Sequence, residues 1–378
     1  MAMRNGLMLW LFAALVSFLA AAPGLSCAGD TDATDASDDD IDDDDASDDD
    51  TSAPVYGYAL WPDETGPDIL AQWYPFFAET GARLYVEVLE EWIVERNPDI
   101  ARIFREAHEA GVEARPYIIL SEEAGIYPNE SNFDRFFAAL KAFIAWVEDE
   151  NLPVEWICVD METPVQMVQD LESCVREFRF LDALLLLLQH RDPEMFQRSI
   201  ASYQELVDYC HAHGFKVHVI TFPLVLDDYS DSDFHIQDAF DVPVSGVGWD
   251  EVDFMIYRTT YQGYTLMPFT SDLVYRYALM ARGLFGERAS VFVGLVLWSG
   301  WGGGDSGYQD PAELEADIEA ALAAGVHEIN IFYLTGLLEK ADPVAWMRPD
   351  VSDYSPPLPD PFTSFFVEIA MPAFDALL

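Results

Sequence analysis

Eight short runs rich in β-branched and aromatic residues recur along the chain from Val55 onward, and each is followed by a stretch with the apolar spacing of a helix. Parallel strands need a crossover between them, so repeated strand–helix units predict an α/β fold, and eight units over roughly 320 residues predict a single (β/α)8 TIM barrel. The candidate strands are Tyr56 to Trp61, Arg83 to Leu89, Glu113 to Leu120, Trp156 to Met161, Lys216 to Phe222, Val252 to Tyr257, Ser290 to Leu297 and Glu328 to Leu334. Helices are expected near 67–80, 98–110, 132–149, 165–213 with a break at Arg191-Asp192-Pro193, 270–285 and 311–324. Gly81, Gly111, Gly214 and Gly325 fall between a helix and the next strand, where a left-handed cap is wanted. The fifth connection, Leu224 to Asp250, is rich in Asp, Ser and Pro, and is expected to form a wall or lid at the carboxyl end of the barrel. The phenylalanine-rich tail from Phe362 is expected to pack on the barrel's outside.

Residues 1–26 read as an export signal: Arg4 charges its start, and the apolar run from Leu7 through Ala22 is short for a membrane span. The leader closes as Gly24-Leu25-Ser26-Cys27, which resembles a bacterial lipoprotein signal and implies acylation of Cys27; ordinary cleavage would leave the protein secreted. Residues 27–54 form a tether with thirteen aspartates and no aromatic residue, too polar to bury a core and expected to be disordered and extended. The globular domain is therefore assigned to 55–378. Setting aside the tether aspartates and Arg4 still leaves −37 of the formal charge of −49 on the remainder. Such a surface repels phosphate backbones, so nucleic acid is excluded as a partner, while neutral and cationic polymers stay open. Membrane contact is expected only through Cys27. Cys174 and Cys210 lie on neighbouring helical segments and could pair in an oxidising compartment; Cys158, inside an apolar strand, reads as a buried thiol.

The fourth candidate strand ends Trp156-Ile157-Cys158-Val159-Asp160-Met161-Glu162-Thr163-Pro164. Side chains alternate along a strand, so Asp160 and Glu162 share one side, close enough for each to change the other's proton affinity. An acid kept protonated beside an ionised partner is what proton donation to a glycosidic oxygen requires. The structural alternative is a pair of carboxylates capping the following helix.

This strand resembles the DxxDxDxE pattern of glycoside hydrolase family 18, the chitinases and endo-β-N-acetylglucosaminidases. Glu155 stands for its first acid, Cys158 replaces the second, and Asp160 and Glu162 match the last two. Met255-Ile256-Tyr257-Arg258 is similar to the family's MxYD, with Arg258 where the family has aspartate. The resemblance implies that Glu162 protonates the leaving oxygen, Asp160 orients an acetamido group for internal attack, and Tyr257 supports that group. The two carboxylates alone also resemble the family 25 lysozymes, and the departures at Cys158 and Arg258 equally suit a barrel that binds carbohydrate without cleaving it.

Trp61, Trp92, Trp298, Trp301 and Tyr333 all fall near predicted carboxyl ends of strands, where indole and phenol faces would stack on sugar rings. With Glu87 and Arg258 they make up the expected saccharide-contacting set. Glu87, Glu90 and Glu91, on and after the second strand, could each place another carboxylate in the mouth, and each also reads as a solvated loop acid. The seven histidines show no HExxH spacing, no serine sits in GxSxG, no cysteines form CxxC, and Trp301-Gly302-Gly303-Gly304-Asp305 lacks the lysine of a phosphate loop. Neither a metal nor a cofactor is expected; the expected partner is a poly- or oligosaccharide.

Overall fold

In the computed structural model, the described residues are 53–177, 179–230, 233–265, 267–294, 296, 307–348, 351 and 354–378. The eight strands are β1 (Val55–Leu60), β2 (Arg83–Leu89), β3 (Glu113–Ile119), β4 (Trp156–Asp160), β5 (Lys216–Thr221), β6 (Glu251–Met255), β7 (Ala289–Gly294) and β8 (Glu328–Phe332). All pair in parallel with their sequence neighbours, and β8 returns to β1, so the sheet closes as a barrel. Each predicted strand is present to within a few residues. Gly81, Gly111, Gly214 and Gly325 take φ of 66°, 77°, 86° and 81°, the left-handed region in which a missing Cβ removes the steric penalty.

Several helices start on one local device, an Asn or Asp cap followed by proline at the first helical position. Asn97 caps Pro98–Glu109, Asp192 caps Pro193–Ala212 and Asp310 caps Pro311–Ala323, each side chain accepting from a backbone N–H of the first turn. The long 165–213 segment is three helices, Val165–Arg176, Phe180–His190 and Pro193–Ala212, with a second break near Arg179 in addition to the expected one. The tail packs as predicted: Phe366, Ala370, Met371 and Phe374 are buried, with Phe366 against Phe269 at 5.5 Å.

The connection after β5 differs from expectation. Leu224, Val225, Leu226, Ile236, Phe240, Val242 and Val244 are all buried, so apolar packing fixes it in place. Asp228 works internally, accepting from the N–H groups of Ile236 and Gln237 at 2.8 Å each, while Asp227 accepts from Tyr277 and Asp238 from Asp192 N outside the connection. None of its described residues lines the cleft described below. The wall comes instead from the connection after β3, where Pro128 O accepts from Glu162 N at 3.2 Å and Tyr127 faces inward. Cys158, Cys174 and Cys210 are separate buried thiols, so Cys174 and Cys210 do not pair.

The amino-terminal end of the barrel is filled by charge. Arg115 on β3 donates to Glu113 at 2.6 Å and to Glu251 at 2.8 Å, while its guanidinium lies 4.0 Å from the ring centre of Trp156. Arg83 pairs with Glu113 and Glu328. With its floor closed in this way, the lumen opens toward the carboxyl ends of the strands, which is where barrel enzymes place their sites.

Candidate active site

Strand alternation decides which residues enter the lumen. Inward positions run Ala59 and Trp61 from β1, Tyr85 and Glu87 from β2, Tyr117 from β3, Cys158, Asp160 and Glu162 from β4, Ile220 from β5, Met255 and Tyr257 from β6, Phe292 from β7 and Phe332 from β8. Apart from Cys158, which lies one layer down, these residues and Tyr127 line one pocket at the barrel mouth. Its cavity volume is about 40 Å³, room for a few waters, so entry of a pyranose ring needs the aromatic rim to part.

Asp160, Glu162 and Tyr257, predicted on separate motifs, meet in this pocket. Asp160 is partly exposed as a residue, yet its Oδ1 is shielded from solvent and has no hydrogen-bond partner. Burial pushes its carboxyl up to about 7. Glu162 is 5% exposed and held by its own backbone bond to the Pro128 carbonyl. Burial, then the negative fields of Asp160 and Glu162, push the Tyr257 hydroxyl well above the ordinary phenol value, so it stays a hydrogen-bond donor.

Glu87 is a wall residue of the same pocket. Burial first, then the neighbouring carboxylates of Asp63, Asp160 and Glu64, push its carboxyl up to about 8. Glu90 instead pairs with Arg135 at 2.6 Å, outside the pocket. Trp61 forms the rim with Phe332 and Tyr333, their ring centres 5.4 and 4.7 Å from its own. Tyr333 thus braces the rim from behind and does not line the pocket.

Two expected saccharide contacts lie elsewhere. Trp92 sits in the helix Glu90–Glu95 and packs half-buried against the core outside the barrel, because the chain turns into a helix straight after β2. Arg258 is the first residue of the helix Arg258–Thr265, and one step past Tyr257 its side chain leaves the lumen side. Its Nε lies 2.8 Å from both carboxylate oxygens of the fully buried Asp317, which also accepts from Tyr308 at 2.7 Å. Trp298, Trp301, the glycine-rich 302–304 and Cys27 lie outside the described residues.

Below the mouth is a polar layer that sequence reading passed over. His218 Nδ1 lies 3.8 Å from Cys158 Sγ and 3.2 Å from Arg115, and Asn330 donates to Asp253 at 2.5 Å. The signal was available: His218, Asp253, Ser290 and Asn330 are polar residues at inward positions of otherwise apolar strands. Tyr127, on a connection, carries no such mark. A roomier groove of about 780 Å³, lined by Glu130, Ser131, Arg135, Arg198 and Ser199 among others, holds none of the predicted catalytic or saccharide-contacting residues. Asp233, His235 and Asp375 bring potential ligand atoms within 4.8 Å of one another, also away from the pocket.

The chain matches no protein-family profile and no curated protein. Several solved structures are similar to the chain at low identity. The PgaB (BpsB) glycoside hydrolase domain from Bordetella bronchiseptica is 10% identical, over 82% of this chain and 100% of that one, with a TM-score of 0.49. A GH5_18 from Bifidobacterium longum subsp. infantis is 13% identical over 75% and 70%, TM-score 0.47. An L-ribulose 3-epimerase is 12% identical over 86% and 96%, TM-score 0.41. The chemistry of the site is therefore argued from its own geometry.

Proposed function

We propose that this protein hydrolyses a glycosidic bond in a poly- or oligosaccharide. The observation that carries the reading is the convergence of Asp160, Glu162 and Tyr257 on one aromatic-rimmed pocket at the carboxyl end of the barrel. Glu162 donates the proton that lets the leaving oxygen depart. Asp160 supplies negative charge beside the oxocarbenium-like carbon as positive charge builds there. Water adds to that carbon as the glycosidic bond breaks, its proton returning to Glu162. Tyr257 donates a hydrogen bond to the group on the neighbouring ring carbon, and Trp61 offers an indole face to the sugar. With Arg258 committed to Asp317, no guanidinium among the described residues competes for Asp160 at the pocket wall. The family 18 resemblance implies the same proton donor and the same supporting tyrosine, with Asp160 orienting an acetamido group.

Glu162→Gln is expected to abolish release of reducing ends while saccharide binding persists. Equal turnover in the variant would reject the assignment, and binding without cleavage in the unaltered protein would favour a carbohydrate-binding barrel. We further place the protein at the cell envelope, exported and acylated at Cys27. Incorporation of labelled palmitate that disappears in Cys27→Ser checks this; soluble, unlabelled protein would refute it.

A further inference from the structure

The pocket at the barrel mouth holds about 40 Å³, whereas sites that enclose sizeable ligands run to about 300–1,000 Å³. An oligosaccharide must therefore find most of its contacts outside it. The groove of about 780 Å³ adjoins the pocket across one thin wall, the connection after β3. Tyr127 of that connection lines the pocket, while Ala124 and Glu130 line the groove. The groove residue Asn132 donates from Nδ2 to the carbonyls of Tyr127 at 2.8 Å and Ala124 at 3.0 Å, so a single layer of residues separates the two spaces. The other bank is the start of the helix Pro193–Ala212, with Arg198, Ser199 and Ser202. Tyr203 of this helix ties the banks together by donating to the Asn129 carbonyl at 3.0 Å, so the groove is pre-formed.

Glu130 is 6% exposed and part of the groove's lining. Ser199 bonds to its side chain, yet its Oε2 is shielded from solvent and has no hydrogen-bond partner. A buried polar atom in that state is costly, and a ligand hydroxyl that draws the carboxyl toward the groove removes the cost. Burial first, then the field of Asp241, pushes the Glu130 carboxyl up to about 8, so at neutral pH it is mainly the uncharged acid, able to donate and to accept. The remaining formal charges of the lining offset one another, Glu123 and Asp134 against Arg135 and Arg198. On a chain of formal charge −49, this is a locally balanced surface.

We propose that this groove binds the chain of a neutral poly- or oligosaccharide beyond the sugar that enters the mouth, so that a long substrate spans the wall and a short one does not. This rests on the hydrolase reading for what happens at the mouth, but on the size and chemistry of the groove for where the chain lies. The hydroxyls of Ser131, Ser199 and Ser202 and the uncharged Glu130 acid exchange hydrogen bonds with sugar hydroxyls, which donate and accept alike. Phe133 offers a ring to an apolar sugar face. An anionic chain would lie against Glu123 and Asp134, and a cationic one against Arg135 and Arg198. Contacts so far from the reacting bond also supply the energy that parts the aromatic rim, so chain length should raise turnover as well as affinity.

The test is calorimetric binding and reducing-end release by the full mature protein with dimers and hexamers of β-1,4-glucan, β-1,3-glucan, β-1,4-mannan and β-1,4-linked N-acetylglucosamine, beside hexamers of galacturonate and glucosamine. At least one neutral hexamer is expected to bind about tenfold tighter than its dimer, and Ser202→Trp, which fills the groove, is expected to remove about tenfold of that hexamer's affinity. Arg198→Trp, at an exposed position, gives the same readout should Ser202→Trp fail to fold. Unchanged hexamer affinity in the folded variants, no binding of any neutral hexamer, or tightest binding of a charged one overturns the groove inference; cleavage of any of these sugars would then leave the hydrolase reading standing. Length-dependent binding that the tryptophan variants abolish, with no cleavage of any sugar, keeps the groove and removes the hydrolase.

Discussion

Arg258→Met keeps a side chain of similar reach and removes the guanidinium. Asp317, fully buried, is then left with the Tyr308 hydroxyl at 2.7 Å as its remaining side-chain donor. Breaking one side of a buried ion pair costs about 3–5 kcal/mol, because the surviving charge stays desolvated. The Tyr308 bond offsets part of this, so the lower half of that range is expected. At about 2–4 °C per kcal/mol for domains of 150–250 residues, and less for a larger barrel, the melting temperature should fall by roughly 5–10 °C. The double variant Arg258→Met, Asp317→Asn removes both charges and should recover about half of the loss, a coupling that thermal melts of the two singles and the double measure directly. Saccharide affinity, followed below the melting transition, should change little in all three. If Arg258→Met melted like the unaltered protein but lost saccharide affinity, the guanidinium would belong in the pocket and the assignment of Arg258 to the outer packing would be wrong.

The pH dependence of stability has a definite sign. Burial raises the carboxyls of Asp160 and Asp228 to about 7 and of Glu87 to about 8, so each binds its proton more tightly in the folded chain than in the unfolded one. Their contribution is complete below the ordinary carboxylate range and is lost as pH rises through these raised values. The melting temperature should therefore drop between about pH 5 and about pH 9, less steeply in Glu87→Gln; a flat profile would contradict the burial of these groups. At Gly57 on β1, an added Cβ would overlap Asn330 Oδ1 and come within 2.5 Å of the Tyr85 ring. Gly57→Ala should cost about 1–3 kcal/mol in a denaturant titration, whereas an unchanged midpoint would mean that the inner layer has slack.

The barrel was legible because its signal is repeated: eight strands, and four glycines at φ > 0 after helices, all agree on one register, and an error at any single element would not displace the others. The acid pair was legible for a narrower reason. Asp160 and Glu162 interrupt an apolar strand at positions of equal parity, and the same parity, applied to every strand, supports Glu87, which was among the expected contacts, and would also have picked out His218, Asp253 and Asn330. What parity does not report is a residue in the helix that follows a strand. Trp92 and Arg258 each sit in such a helix, Glu90–Glu95 and Arg258–Thr265, where the turn of about 100° per residue replaces the strand's alternation. Aromatic and cationic residues at strand ends are thus weak evidence for a cleft, and inward parity is strong evidence. By that criterion Glu87 ranks with the acid pair, and the three carboxyls face aromatic rings in one pocket because the inward positions of neighbouring strands meet there.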